Sequence, residues 1–192
     1  FFNPITRKNY ISDFKEDVDI VKYLEVQENK SIIIKANEGS GGTKVFKCTS
    51  ESDVHNIIKD IFATNDSISV CPFYNIKCEY RLVYLKDECK LIFGKIASKD
   101  NWKHNLAQGA TVVEVEDLDL IAKLKEIANK VVKVLNCNFV SIDIAQLIDN
   151  TLLVMEVNAS VSILKYSTFS EENMKQAKEI YRQAVLAIFD KK

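Results

Sequence analysis

The chain of 192 residues is 47% hydrophobic and 28% charged, enough for a sizeable core in one domain or two closely packed lobes. A formal net charge of −1 gives no global reason to expect a nucleic acid or a membrane surface as partner, and no apolar run approaches the roughly 18 residues of a membrane span. Five cysteines without a C-x-x-C pair argue for reduced thiols over a zinc site or disulfide framework, and the start carries no long apolar leader, so the expected compartment is the cytosol.

From Ile11 to Glu28, the residues Phe14, Val18, Val21 and Leu24 recur at helical spacing, with Ser12 or Asp13 placed to cap the start. "SIIIKANEGSGGTKVFKC" follows as a buried-type strand ending at Lys35, a glycine loop, and a returning strand from Lys44 to Cys48. "SESDVHNIIKDIFATN" reads as a helix capped by Ser50 or Ser52, with Val54, Ile57, Ile58 and Ile61 on one face. A strand from Ile68 leads into Cys71-Pro72-Phe73-Tyr74. "CEYRLVYLKDECKLIFGKIAS" reads as a long hairpin turning near Lys86-Asp87-Glu88. Amphipathic helices are expected over Leu118–Leu135 and from about Glu171 to Phe189. This order fits an α+β protein better than a βαβαβ nucleotide fold, with two lobes meeting near Pro72.

The glycine stretch fits neither common phosphate motif. A Walker loop opens a helix, whereas Gly39, Ser40, Gly41 and Gly42 are followed by strand formers. A dinucleotide fingerprint needs a further glycine and a helix. What remains is a glycine flap between antiparallel strands, whose bare N–H groups suit a polyphosphate, with Lys35 at the end of the preceding strand as a point charge.

"FVSIDIAQLIDNTLLVMEVNAS" is the most informative segment. Asp149-Asn150 between two apolar runs reads as the turn of a β-hairpin. A loop of two or four residues centred there sets Ile148 against Thr151 and Asp143 against Glu156, with Asn158 two residues on and so on the same face. Two carboxylates and an amide oxygen on one rigid surface are the hard donors that Mg²⁺ takes alongside phosphates and water. Side by side, the carboxylates repel unless something positive lies between them, so Asp143→Asn is expected to raise the melting temperature without metal. Upstream, Glu79 and Arg81 share a strand face, and Arg81 with Lys95 would suit a clamp on a transferring phosphoryl group. His55 and His104 have no supporting motif for Cys/His catalysis.

Lys35 with Gly39-Ser40-Gly41-Gly42, then "CPFYNIKCEYR", then Lys95 with "NWKHNLAQGA", then Asp143 with "MEVNAS", resemble the ATP-grasp superfamily, most closely its RimK-like branch, over nearly the whole chain. The resemblance implies an ATP-grasp fold in which two α+β lobes with mainly antiparallel sheets grip a nucleotide between them: residues 1–72 as the smaller lobe and 73–192 as the larger. It implies that Pro72 and Phe73 of the hinge receive adenine and that Glu79 holds the ribose. Lys103, His104 and Asn105 would contact the nucleotide and phosphates, and Arg81 and Lys95 would stabilise the phosphoryl group and an acyl-phosphate intermediate. Asp143, Glu156 and Asn158 would hold Mg²⁺, or Mn²⁺ in its place, on the phosphates of ATP.

The implied activity is an ATP- and Mg-dependent, ADP-forming ligation of a small-molecule or peptide carboxylate to an amine, with no nucleic acid and no membrane involved. A nucleotide-binding module without ligation is the alternative. This chain departs from the pattern in three places. Ala159-Ser160-Val161-Ser162 lacks the proline and glycine that relatives carry after the asparagine, and Lys95 stands where an arginine is usual. The smaller domain that usually precedes the grasp is not found, so the chain reads as an excised grasp domain, with Lys8 and Lys22 as weak candidates for a lysine relatives have near its start.

Overall fold

The computed structural model describes residues 17–36, 42–64 and 67–189; Lys8, residues 11–16 of the expected first helix, and Gly39, Ser40 and Gly41 lie outside them. The architecture is α+β with two antiparallel sheets, in two compact units that divide between Asn75 and Ile76.

The first unit contains α1 (Asp17–Val26), β1 (Ile32–Ala36), β2 (Val45–Cys48), α2 (Glu51–Phe62) and β3 (Ile68–Pro72), with the sheet in the order β2-β1-β3. Alternation along the strands turns Ile32, Ile34, Ala36, Cys48, Ile68 and Val70 to the helices, where they pack on Ile20, Val21, Leu24, Val54, Ile58 and Ile61. Val18 does not join the core as its spacing suggested and is 45% exposed. The buried stripe of α1 is centred on Ile20 and Leu24, one turn apart, and Val18 falls on the flank away from them. Ser50, not Ser52, caps α2: its Oγ accepts from Asp53 N at 3.2 Å while the Asp53 carboxylate accepts from Ser50 N at 3.0 Å.

The second unit carries β4 (Ile76–Leu85), β5 (Glu88–Ile96), a 3₁₀ turn (Leu106–Gln108), β6 (Thr111–Val113), α3 (Leu118–Leu135), β7 (Phe139–Leu147), β8 (Leu152–Asn158), α4 (Leu164–Ser167) and α5 (Glu171–Phe189). Its sheet runs β6-β5-β4-β7-β8. One face is apolar throughout: Cys78, Tyr80, Leu82 and Tyr84 of β4 and Val140, Ile142 and Ile144 of β7 pack on Leu124, Ala128 and Val132 of α3. The opposite face is divided. At one end Val83, Leu91 and Phe93 lie with Tyr166 of α4 and Ala177 and Ile180 of α5, the Phe93 and Tyr166 rings stacked with centroids 4.5 Å apart. The other end of that face holds charged side chains.

The β7–β8 hairpin differs from the expected one in two ways that cancel. The loop is Ile148-Asp149-Asn150, closed by Leu147 N donating to Thr151 O at 2.9 Å, with Asn150 at φ 67°. Ile148 therefore sits at the tip and does not face Thr151. An odd loop moves the pairing by one residue, giving Ile144 opposite Val154, and a bulge that takes up Met155 moves it back. Beyond it Asp143 is opposite Glu156 and Ser141 opposite Asn158, the arrangement the turn was expected to give. All five cysteines are free thiols, Cys48 and Cys78 buried and the other three partly so. Among the described residues no helix is long and apolar enough to cross a membrane.

Candidate functional site

The charged end of the second unit's sheet is assembled by register. Glu79 and Arg81, two apart on β4, share a face; Lys95 of β5 is directly opposite Glu79, and Asp143 of β7 directly opposite Arg81. Glu156 on β8 extends the row by one strand. Arg81 holds Asp143 with both arms of its fork, Nε to Oδ1 at 2.8 Å and Nη2 to Oδ2 at 2.6 Å. Lys95 Nζ lies 3.1 Å from Asp143 Oδ1 and also donates to Glu79 Oε1. Arg81 Nη1 donates to Ser162 O at 3.1 Å, tying β4 to the segment that follows Asn158. Tyr181 pins the same segment, accepting from Ile163 N at 3.0 Å and donating to Val161 O at 3.3 Å.

Lys95 and Asp143 are charged although they are buried. Burial pushes the Asp143 carboxyl up, but the Lys95 ammonium and Arg81 guanidinium outweigh it and hold it below the usual carboxylate range. Burial likewise pulls Lys95 down, and Glu79 and Asp143 more than restore it. Glu79, Lys95, Asp143 and Arg81 sum to zero charge, which is how so polar a cluster is tolerated where Lys95 is 3% exposed.

Lys103, His104 and Asn105 lie between β5 and β6. His104 is buried with Nδ1 2.8 Å from Lys95 O. A carbonyl only accepts, so Nδ1 carries a proton. Lys103 is drawn below its ordinary value by desolvation, and its Nζ stands 5.5 Å from the Trp102 ring. Asn105 O accepts from Gln108 N at 2.8 Å and Ala110 N at 3.3 Å, fixing the 3₁₀ turn.

In the first unit β1 runs one residue past the expected end at Lys35, which is its penultimate residue, opposite Val45 and Ser69 and on the sheet face turned away from the helices. The flanks of the glycine loop are antiparallel as expected, closed by Ala36 N donating to Lys44 O at 3.1 Å, and Gly42 at φ 78° takes a left-handed conformation that favours glycine. Of the two residues expected to receive adenine, Phe73 is committed within its own unit: its N–H donates to Ser31 O at 3.1 Å, its carbonyl accepts from Asn29 Nδ2 at 2.8 Å, and Lys47 Nζ sits 3.7 Å from its ring centroid. Pro72 ends β3 opposite Ile32.

The expected Mg²⁺ ligands fit in part. Glu156 is exposed and Asn158 half-buried, and among the described residues the side chain of neither makes a hydrogen bond. Their oxygens are of the type that a hard cation takes. Asp143 has the same chemistry, but both its oxygens are engaged by Arg81 and Lys95. Among the described residues no group of three or more His, Cys, Asp and Glu is gathered as a metal site, so this set depends on the amide and on phosphate oxygens.

Sequence reasoning did not select two serines. Ser69, beside Lys35, and Ser141, two residues from Asp143, are the buried side-chain oxygens without a hydrogen-bond partner among the described residues. Their signal was a lone hydroxyl within an apolar strand, "ISV" and "VSI". Nothing in the sequence revealed that Lys95 is enclosed.

This fold is that of the ATP-grasp ligases. D-alanyl-alanine synthetase A from Vibrio cholerae O1 biovar eltor matches with a TM-score of 0.61 at 19% identity, over 82% of this chain and 55% of that one. N5-carboxyaminoimidazole synthetase from Staphylococcus aureus gives 0.57 at 18% identity, over 78% and 38%. The ATP-grasp ligase PsnB, complexed with a phosphomimetic variant of minimal precursor, Mg and ADP, gives 0.59 at 14%, over 85% and 51%. The chain thus spans between 38% and 55% of the length of these structures. Residues 4–182 match the model of the RimK-like ATP-grasp domain, and the chain belongs to that family. No match is found among curated proteins.

Proposed function

We propose that this chain is the nucleotide-using part of an ATP- and Mg-dependent carboxylate–amine ligase. The γ-phosphoryl group passes to a carboxylate oxygen and ADP leaves; an amine nitrogen then attacks the acyl carbon, phosphate departs and the amine loses a proton. The supporting observation is the row Lys95, Glu79, Arg81, Asp143 and Glu156, set by strand register on one sheet face of a RimK-like ATP-grasp chain.

In this reading Arg81 supplies a planar fork to phosphate oxygens, and Lys35 with the Gly39–Gly42 run contributes charge and N–H groups to the polyphosphate. Lys103, His104 and Asn105 line the nucleotide's path, with Pro72 and Phe73 towards the base and Glu79 towards the ribose. Asp143, Glu156 and Asn158 would hold Mg²⁺, which when bound neutralises charge on the transferring phosphoryl group. The chain's own work is positioning and electrostatics. Substrates are a small-molecule or peptide carboxylate and an amine.

Hydroxylamine tests this without knowledge of the amine, because it captures acyl phosphates as hydroxamates. Incubation with ATP, Mg²⁺ and pools of amino acids and short peptides should give hydroxamate together with ADP. A nucleotide-binding module without ligation is favoured by one observation, the commitment of both Arg81 and Lys95 to carboxylates. Tight ADP binding with no hydroxamate from any pool would select it.

A further inference from the structure

The buried charges differ in their freedom to move. Lys95 is 3% exposed and is held by Glu79 and Asp143 from two strands, so a phosphate has no approach to it. Arg81 has a side chain 20% exposed, and its guanidinium fork would fit a phosphate as well as it fits the Asp143 carboxylate. With Arg81 in place, a divalent cation approaching Asp143 would find both carboxylate oxygens already accepting hydrogen bonds and two positive charges beside them.

We infer that Arg81 gates the metal site: a divalent cation reaches Asp143 only after a polyphosphate has drawn Arg81 away, so nucleotide binds before metal. This rests on the ligase reading for the identity of the polyphosphate, while the device itself lies wholly in the second unit. Lys95 is the fixed part, a positioning residue that keeps Asp143 ionised and in place. Arg81 is the moving part. Its third hydrogen bond, from Nη1 to Ser162 O, is lost on its withdrawal, which leaves Tyr181 to hold the segment following Glu156 and Asn158. Glu156, exposed and close enough to Arg81 to stabilise its charge, is the donor already open to a cation.

The test uses Mn²⁺ alone as the metal probe, its free aquo-ion followed by electron paramagnetic resonance, and ADP in EDTA followed by calorimetry. The wild-type chain should take ADP without metal but bind Mn²⁺ weakly without ADP. Arg81→Gln should bind Mn²⁺ alone more tightly by about tenfold or more, the scale on which one adjacent charge favours or disfavours an ionised carboxylate. The gain should disappear in Arg81→Gln/Asp143→Asn. Mn²⁺ binding to the wild type as tight as to Arg81→Gln, or a gain that survives Asp143→Asn, overturns the gate. If ADP fails to bind while Arg81→Gln still gains Mn²⁺, the gate stands and the nucleotide reading falls. Should circular dichroism show Arg81→Gln unfolded, Arg81→Lys, which keeps the charge but loses the fork, takes its place, and a smaller gain in the same direction is required.

Discussion

Arg81 and Asp143 face each other across β4 and β7 and are joined by two parallel hydrogen bonds of 2.8 and 2.6 Å. This pair reverses a sign. Two bare carboxylates at Asp143 and Glu156 would repel, and neutralising Asp143 would stabilise the metal-free chain. With Arg81 and Lys95 on its oxygens, neutralisation instead leaves Arg81 without its carboxylate and Lys95 with Glu79 alone. Asp143→Asn should therefore lower stability by about 3 kcal/mol or more, the scale of breaking a buried ion pair from one side. Urea denaturation of the metal-free chain measures it. Arg81→Met/Asp143→Leu, which removes both partners and leaves Lys95 with Glu79, should lie closer to the wild type than Asp143→Asn does.

The capping box of α2 gives a pH prediction. Hydrogen bonds from Thr49 N and the Ser50 side chain hold the Asp53 carboxyl below its ordinary value. A group whose folded value is depressed contributes stability above its unfolded value, near pH 3.9, and loses it as pH falls through the folded one. Acidification below about pH 4 should thus weaken the start of α2. The Asp53 side-chain resonance should titrate below the ordinary aspartate midpoint, and Asp53→Ala should remove that part of the acid limb of stability. A midpoint at or above the ordinary value would contradict the cap.

The orphan hydroxyls predict an uncommon sign for a core substitution. A buried polar group without a partner costs about 1–3 kcal/mol, and alanine removes it with little loss of volume. Ser141→Ala should leave the metal-free chain as stable as the wild type or more stable by about 1 kcal/mol. Ser69→Ala should behave alike in the first unit. Chemical denaturation decides it, and a clear loss in both would mean that each hydroxyl has a partner in solution.

Much of the fold was legible because period and caps agree with packing. The bounds of α3 and α5 are those the apolar spacing gave, and Asn136, at φ 50°, stops α3 as a left-handed cap. The face of α1 was less legible, since Val18 and Ile20 are equally apolar and only the sheet decides which is covered. At the site, sequence supplied the residue types and the pairing of Asp143 with Glu156. It did not supply the four-charge network, because strand order β5-β4-β7 is what brings Lys95 and Arg81 to Asp143. Nor could it supply the bulge, as an odd loop and an extra residue leave the same pairing as neither.

That cancellation carries the last prediction. Met155 is the extra residue where β8 passes from Val154 opposite Ile144 to Glu156 opposite Asp143. Deleting it would turn the ladder regular without changing any other pair: Glu156 and Asn158 stay on the charged face, and Val157 stays opposite Ile142 over α3. Deletion inside a strand with one buried face usually turns every later side chain to the wrong face, but here it should cost no more than about 1–2 kcal/mol, or a few degrees in melting temperature for a chain of this size. Deleting Val157 is the contrast. It would put Asn158 opposite Ile142, against the apolar face, and should unfold the hairpin or the whole second unit. Thermal melting of the two deletions, with cross-strand nuclear Overhauser effects between residues 143 and 156, tests the register. Equal damage from both would remove the bulge at Met155 and with it this account of how Glu156 comes to face Asp143.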